Sequence, residues 1–149
     1  MRAIEFRGKS LQTGEWVYGD LLKYADGAQI WYDTENGKWN CQVDPKTVGQ
    51  CTGLKDKEGN KIYTGDITSL VVDGAERRFI VDIETVVRDF VNHPSFYDAI
   101  SKVAVTAVTF TWNGFKLFPC VDKNGTSDTK LMTIIGNIHD NPELLEVEE

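Results

Sequence analysis

Two short turns constrain this chain more than any other feature. Asn36-Gly37 and Asn113-Gly114 each lie between stretches that alternate apolar and polar residues. An Asn-Gly pair in that setting is the strongest local signal for a two-residue β-hairpin, because both central positions of the favoured turn need positive φ. At Asn36-Gly37 such a turn predicts pairing of Glu35 with Lys38, Thr34 with Trp39, Tyr32 with Cys41 and Ile30 with Val43. The apolar members then share one face, and Glu35 meets Lys38 beside the turn. At Asn113-Gly114 the same construction pairs Trp112 with Phe115, Phe110 with Leu117 and Val108 with Pro119. Weaker turns at Thr13-Gly14, Glu58-Gly59-Asn60 and Asn124-Gly125 place further strands near 3–7, 15–22, 61–63, 67–72, 103–112, 115–121 and 131–136. The expected class is mainly β, α+β at the margin, with antiparallel strands.

One segment breaks the alternation. Ile83, Val86, Val87, Phe90 and Val91 recur at the i, i+3, i+4, i+7, i+8 spacing of an amphipathic helix. This predicts one inserted helix near 83–92, capped by Asp82 and stopped at His93-Pro94, with a short continuation from Ser95 through Phe96 to Ile100.

The length of 149 residues suits one domain, 1–149, or two β-modules sharing a core, about 1–50 and 51–149, with a helical insertion at about 73–104. A faint internal echo is compatible with the second arrangement without deciding for it. Gly14 to Leu21 and Gly59 to Ile67 both run from a glycine turn through a tyrosine to Gly-Asp and an apolar residue. Gly-Asp is expected to form a sharp bend into a new strand, because glycine admits positive φ and aspartate bonds neighbouring amides.

A hydrophobic fraction of 41% and sixteen aromatic residues indicate a globular chain that folds without staples. Cys41, Cys51 and Cys120 are odd in number and lack CxxC spacing, so they read as reduced thiols. The start, Met1-Arg2-Ala3-Ile4-Glu5-Phe6, lacks the organisation of a signal peptide, and no stretch is apolar enough to span a membrane. The expected location is therefore the cytosol, with no membrane partner. A net charge of −7 disfavours binding to phosphate backbones, and Arg77-Arg78 and Lys55, Lys57 and Lys61 are interspersed with acids.

Val43-Asp44-Pro45-Lys46-Thr47-Val48-Gly49-Gln50-Cys51-Thr52-Gly53-Leu54-Lys55-Asp56, continuing through Gly59 to Ile62-Tyr63-Thr64-Gly65-Asp66-Ile67, resembles the signature stretch of the YopX family. Two flanking segments strengthen the resemblance: Trp16-Val17-Tyr18-Gly19-Asp20-Leu21, and Ile135-Gly136-Asn137-Ile138-His139-Asp140-Asn141-Pro142-Glu143-Leu144-Leu145. The resemblance implies a protein of phages, prophages and mobile elements, acting in the bacterial host cytosol. It also implies a mainly β fold whose later part is a small barrel or roll of the Src-homology-3 type. It carries no catalytic residues and no cofactor. Cys51 stands where the family commonly has an aromatic residue, which favours a packing role for this thiol.

Read physically, Thr47, Gln50, Thr52 and Asp56 lie in a glycine-rich stretch and are suited to side-chain-to-backbone bonds that hold an irregular loop. The same loop is the candidate binding surface. Asp20 and Asp66 occupy matching places in the internal echo, and with His139 they form the candidate metal set, since carboxylate and imidazole are common ligands. Turn capping is the leading role for both aspartates, and the metal set belongs to the alternative reading only. No nucleophile elbow or phosphate loop is present. The leading expectation is a non-enzymatic protein-interaction or regulatory module that self-associates and binds a host or phage protein. A metal-dependent hydrolase built on Asp, Glu and His139 is the alternative, and a nucleic-acid-binding small barrel is the third reading. The acidic ending, Glu143, Glu146, Glu148 and Glu149, reads as a solvated terminus.

Overall fold

The computed structural model describes residues 4–91 and 100–146. Hairpins dominate, and they build two antiparallel sheets. The first sheet contains β1 (Phe6–Lys9), β2 (Trp16–Tyr24), β3 (Gly27–Thr34), β4 (Gly37–Val43), β5 (Gly49–Lys55) and β6 (Lys61–Tyr63), in the order β4-β3-β2-β1-β5-β6. The second contains β7 (Asp66–Val72), β8 (Ala75–Val91), β9 (Ile100–Trp112), β10 (Phe115–Leu117) and β11 (Thr133–Asn137), in the order β10-β9-β8-β7-β11. Three short 3₁₀ turns, Pro45–Thr47, Asp128–Leu131 and Pro142–Leu145, join or follow the strands. Among the described residues the chain is mainly β, and neither sheet closes into a barrel.

The hairpin at Asn113-Gly114 has the expected register, with Trp112 opposite Phe115 and Phe110 opposite Leu117. Asn113 and Gly114 both take positive φ, 48° and 79°, as a type I′ turn requires. Pairing stops before Val108 meets Pro119, and β10 ends at Leu117. Proline has no N–H, so it cannot complete the exchange of two bonds that this position demands. At Asn36-Gly37 the register differs from expectation by two residues. The turn is Glu35-Asn36, with Thr34 opposite Gly37, Tyr32 opposite Trp39 and Ala28 opposite Val43. Lys38 consequently meets Asp33, at 3.1 Å, rather than Glu35. A shift of two leaves every side chain on its face, so the apolar pattern is satisfied by either register. The Thr34 hydroxyl favours the observed one, donating to Gly37 O at 2.8 Å and accepting from Asn36 N at 3.2 Å.

The expected helix near 83–92 is instead strand, as far as it is described. β8 pairs with β9 without interruption from Ile80 opposite Thr111 to Val91 opposite Ile100. Asp73-Gly74, with φ of 52° and 79°, forms a second type I′ turn that sends the chain back along β7. The described residues of 73–104 therefore form a β-ribbon rather than a helical insertion. The continuation through Ser95 and Phe96 falls within 92–99, outside the described residues. Nor is the later part a barrel of the Src-homology-3 type: β7 to β11 form an open sheet. Some rolling does occur in the first sheet, where Ser10 bridges to Val43 and Leu11 N donates to Gln42 O at 3.0 Å.

Ile62 of the first sheet packs with Phe79, Val81, Val108 and Phe110 of the second and with Met132. Phe79 and Phe110 meet edge to face at 6.3 Å. Phe110 is 1% exposed, and burying a side chain of that size contributes about 2 to 3 kcal/mol. A smaller cluster, Ala28, Ile30 and Val43, fills the rolled part of the first sheet. Strand pairing passes from one sheet to the other at Thr64-Gly65, so the seam between the sheets runs beside Tyr63 and Asp66.

Candidate functional site

The three motif segments, far apart in sequence, converge on that seam around one residue outside all of them. Arg7, on β1, is 6% exposed and sends its guanidinium to Asp66 at the start of β7, with Nη2 2.7 Å from Oδ1. The other Asp66 oxygen accepts from Tyr63 N at 2.8 Å. The Arg7 guanidinium also lies over Trp16 of β2, 4.5 Å from the ring centroid, and over Tyr63 of β6, at 5.0 Å. Its Nε makes no hydrogen bond among the described residues, and the two ring faces add cation–π attraction. Burial pushes the Asp66 carboxyl above the usual carboxylate range, and Arg7 and the Tyr63 amide oppose that effect.

A second cation–carboxylate pair stands beside the first. Asp140 accepts from Lys9 Nζ, from Trp16 Nε1 at 2.8 Å and from Asn137 Nδ2 at 3.1 Å. The Lys9 and Trp16 bonds, with that of Asn137, hold its carboxyl down at about 2 against the opposing effect of burial. His139 lies against Trp16 with ring centroids 6.0 Å apart, and its backbone N donates to Asn137 Oδ1 at 3.0 Å. Burial and then the nearby Arg7 charge lower its pKa, which favours the neutral imidazole. The seam thus holds two cations and two carboxylates in matched pairs.

The two halves of the internal echo have different fates. Gly65 has a φ of +91° and makes the expected bend, placing Asp66 inside. Gly19 lies within β2, where a Cβ would come 2.0 Å from Trp31 O, so it serves close strand approach rather than a bend. Asp20 is correspondingly exposed, 3.8 Å from Lys38. The candidate metal set is therefore divided: Asp66 and His139 flank the seam, while Asp20 faces solvent beside β4. Among the described residues no three His, Cys, Asp or Glu side chains are grouped as metal ligands.

The candidate binding loop is largely strand. Gly49–Lys55 is β5, paired with β1 and β6 inside the first sheet. Thr47, Thr52 and Asp56 are buried. The Thr47 hydroxyl accepts from Lys9 N at 2.9 Å and donates to Asp44 O at 2.7 Å. Thr52 donates to Ile62 O at 2.8 Å. Gln50, half-buried, receives Thr64 Oγ1 as the acceptor for its backbone N at 2.9 Å. Asp56 accepts from the amides of Glu58, Asn60 and Ile134 at 2.9 to 3.1 Å, stapling the β5–β6 tip to β11. Burial alone would raise its pKa, but these amides outweigh it and the net shift is downward. Thr47, Thr52 and Asp56 thus make the side-chain-to-backbone bonds that the sequence suggested for them.

A groove of about 650 Å³ runs between the turn at 10–13 and β4, lined by Trp16, Tyr32, Trp39, Gln29, Asn40 and Gln42 among others. Trp39 is 55% exposed. Gln42 O is occupied by Leu11 N, and the alternation of an antiparallel ladder points the backbone groups of Asn40 and Lys38 the same way. They have no backbone partner on that side among the described residues.

A family model described as "YopX protein" matches residues 5–146, nearly the whole chain. The chain belongs to the YopX family. All three motif segments of this YopX-family chain meet at the seam, which Arg7 completes from outside them. A crystal structure of protein EF1440 from Enterococcus faecalis has the same general fold, with a TM-score of 0.50 at 19% identity, covering 98% of this chain and 100% of that one. No curated protein matches the chain. Among the described residues, no helix is long and apolar enough to cross a membrane.

Proposed function

We propose that this YopX-family chain is a non-enzymatic protein-interaction or regulatory module, encoded by a phage or mobile element and acting in the bacterial cytosol on a host or phage protein. The groove beside β4 carries the reading. It combines exposed aromatic surface at Trp39, side-chain amides at Gln29, Asn40 and Gln42, and outward backbone groups on an edge strand. An extended peptide can add to such an edge through main-chain hydrogen bonds while its side chains contact the aromatic surface. The seam gives further support, because its carboxylates are matched to cations that also hold the sheets together. The test is affinity capture from host lysate with the intact chain and with a Trp39→Ala, Asn40→Pro variant. The expected result is one retained protein lost with the variant; a chain that retains nothing, or retains the same protein through the variant, overturns the reading.

A further inference from the structure

We propose that two copies of this chain pair through the outer edge of β9, antiparallel and about a two-fold axis at Val105. This deepens the reading of the chain as an interaction module, on which it rests, by naming one partner and the strand that receives it.

The ribbon of β8 and β9 outruns the rest of its sheet. β7 pairs with β8 only as far as Ile80, and β10 pairs with β9 only as far as Phe110. From Asp82 and Thr109 onward the two strands have only each other. A two-stranded ribbon is marginal alone in water. Its two edges are also treated differently. Trp112 and Phe115 flank a two-residue turn, so even-numbered β9 residues point their backbone groups outward, and odd-numbered β8 residues do so on the other edge. The β8 edge is guarded: Val81 O accepts from Gly65 N at 2.8 Å, Ile83 N donates to Asp82 Oδ1 at 2.8 Å, and Val87 O accepts from Arg88 at 3.2 Å. On the β9 edge, Lys102, Ala104, Thr106 and Val108 have no such partner among the described residues.

The chain that would have covered this edge turns away from it. After Leu117, Pro119 cannot continue the ladder, and two side chains of β8 reach across to residues 116–118. Lys116 Nζ meets Glu84, Lys116 O accepts from Arg88 at 2.9 Å, and the Arg88 guanidinium lies 5.2 Å from the Phe118 ring centroid.

A second copy fits the vacated edge for two reasons. In a chain of net charge −7, Val103 to Phe115 is the longest run without a charged residue, so two copies meet there with least repulsion. The edge is also self-complementary. With the axis at Val105, Lys102 pairs with Val108 of the second copy and Ala104 with Thr106, each in both directions, so no like charges oppose. The overlap ends at Lys102 because Leu117 already occupies the edge at Phe110. An open edge rich in Val, Ala and Thr, with no charge inside it, is a surface for strand addition.

Light scattering after size exclusion should give twice the 16.8 kDa of the chain. Thr106→Pro removes an outward N–H and the hydroxyl contact with Thr85 at 2.7 Å but no backbone bond to β8, and should halve that mass while leaving the circular dichroism spectrum unchanged. In a Cys120→Ser background, Val105→Cys should cross-link to itself on mild oxidation, since Val105 faces its own copy. Val103→Cys, opposite Ala107, should not. If Thr106→Pro does not fold, the cysteine pair decides. A single-chain mass at every concentration, a doubled mass that survives Thr106→Pro, or equal cross-linking at 103 and 105 overturns the inference. A single-chain wild type that still captures a host protein through the β4 groove would overturn this inference and leave the proposed function standing.

Discussion

Replacing Asp66 with alanine removes two interactions at once, and the structure allows the loss to be sized. Asp66 is 2% exposed and its partner Arg7 6%, so the guanidinium would keep its charge with no counter-charge and little water. Breaking a buried pair from one side costs about 3 to 5 kcal/mol. The Tyr63 amide loses its acceptor as well, which adds about 1 to 3 kcal/mol if no water replaces it. The Trp16 and Tyr63 ring faces remain over the guanidinium and offset part of the loss, so about 4 kcal/mol is the expected total. For a chain of this length that corresponds to a fall in Tm of about 8 to 16 °C. Urea denaturation of the wild type, Asp66→Ala, Arg7→Met and the double variant would measure it, and the double variant should lose much less than the sum of the singles. Asp20→Ala, in the matching place of the internal echo but exposed, should cost less than about 0.5 kcal/mol. Additive single losses, or an Asp66→Ala cost near that of Asp20→Ala, would refute the account of the seam.

Asp140 makes the fold acid-sensitive in a defined window. Its carboxyl is depressed from 3.8 to about 2, so its contribution is complete above the ordinary value and is lost as pH falls toward the depressed one. Because the side chain is about one-third exposed, screening reduces that contribution to about 1 kcal/mol. Asp140→Asn should therefore flatten the fall of the urea midpoint between about pH 4 and pH 2. Gly65→Ala forces a side chain into φ +91° beside His139 and should cost about 1 to 3 kcal/mol by thermal denaturation. Magnesium and calcium should leave the Tm of the wild type and of Asp66→Asn unshifted, because Asp20 lies apart from Asp66 and His139; a metal-dependent rise abolished by Asp66→Asn would restore the metal reading.

How far the fold is legible in the sequence depended on whether local signals had a single solution. Asn113-Gly114 has one, because both positions take positive φ and the flanking apolar residues fall into register. Around Asn36-Gly37 two registers satisfy the same faces, and the choice rests on Thr34 and on Asp33 beside Lys38. The ribbon misleads for a physical reason. Val86 is 7% exposed on the face of β8 that Glu84, Arg88 and the 116–118 segment share, while its apolar neighbour Val87 points to the opposite side and is 59% exposed. Adjacent apolar residues imitate helical spacing, and the Asp73-Gly74 turn before them is the signal that resolves the ambiguity. β5 reads as an irregular loop because Thr52 and Asp56 look like local cappers, whereas Asp56 also bonds Ile134, 78 residues away. Arg7 sits in no motif, and only the assembled seam reveals it. The groove beside β4 is similarly hidden, since the turn at 10–13 and the strand at 37–43 meet only when the first sheet rolls.

The pairing of Lys9 with Asp140 closes a loop of 131 residues. Hairpins such as β3–β4 and β7–β8 need only a few residues between their strands and can form as soon as those residues are made. The seam cannot. Contacts of such long range form slowly, because the entropy of closing the loop is lost before the contact repays it. During synthesis, β1 and β2 therefore emerge with Arg7, Lys9 and Trp16 waiting for carboxylates that the ribosome delivers later. The nascent chain carries an unmatched basic and aromatic patch until Asp66 and then Asp140 arrive, and a chain stopped short of Asn137 would carry the Lys9 half of it permanently.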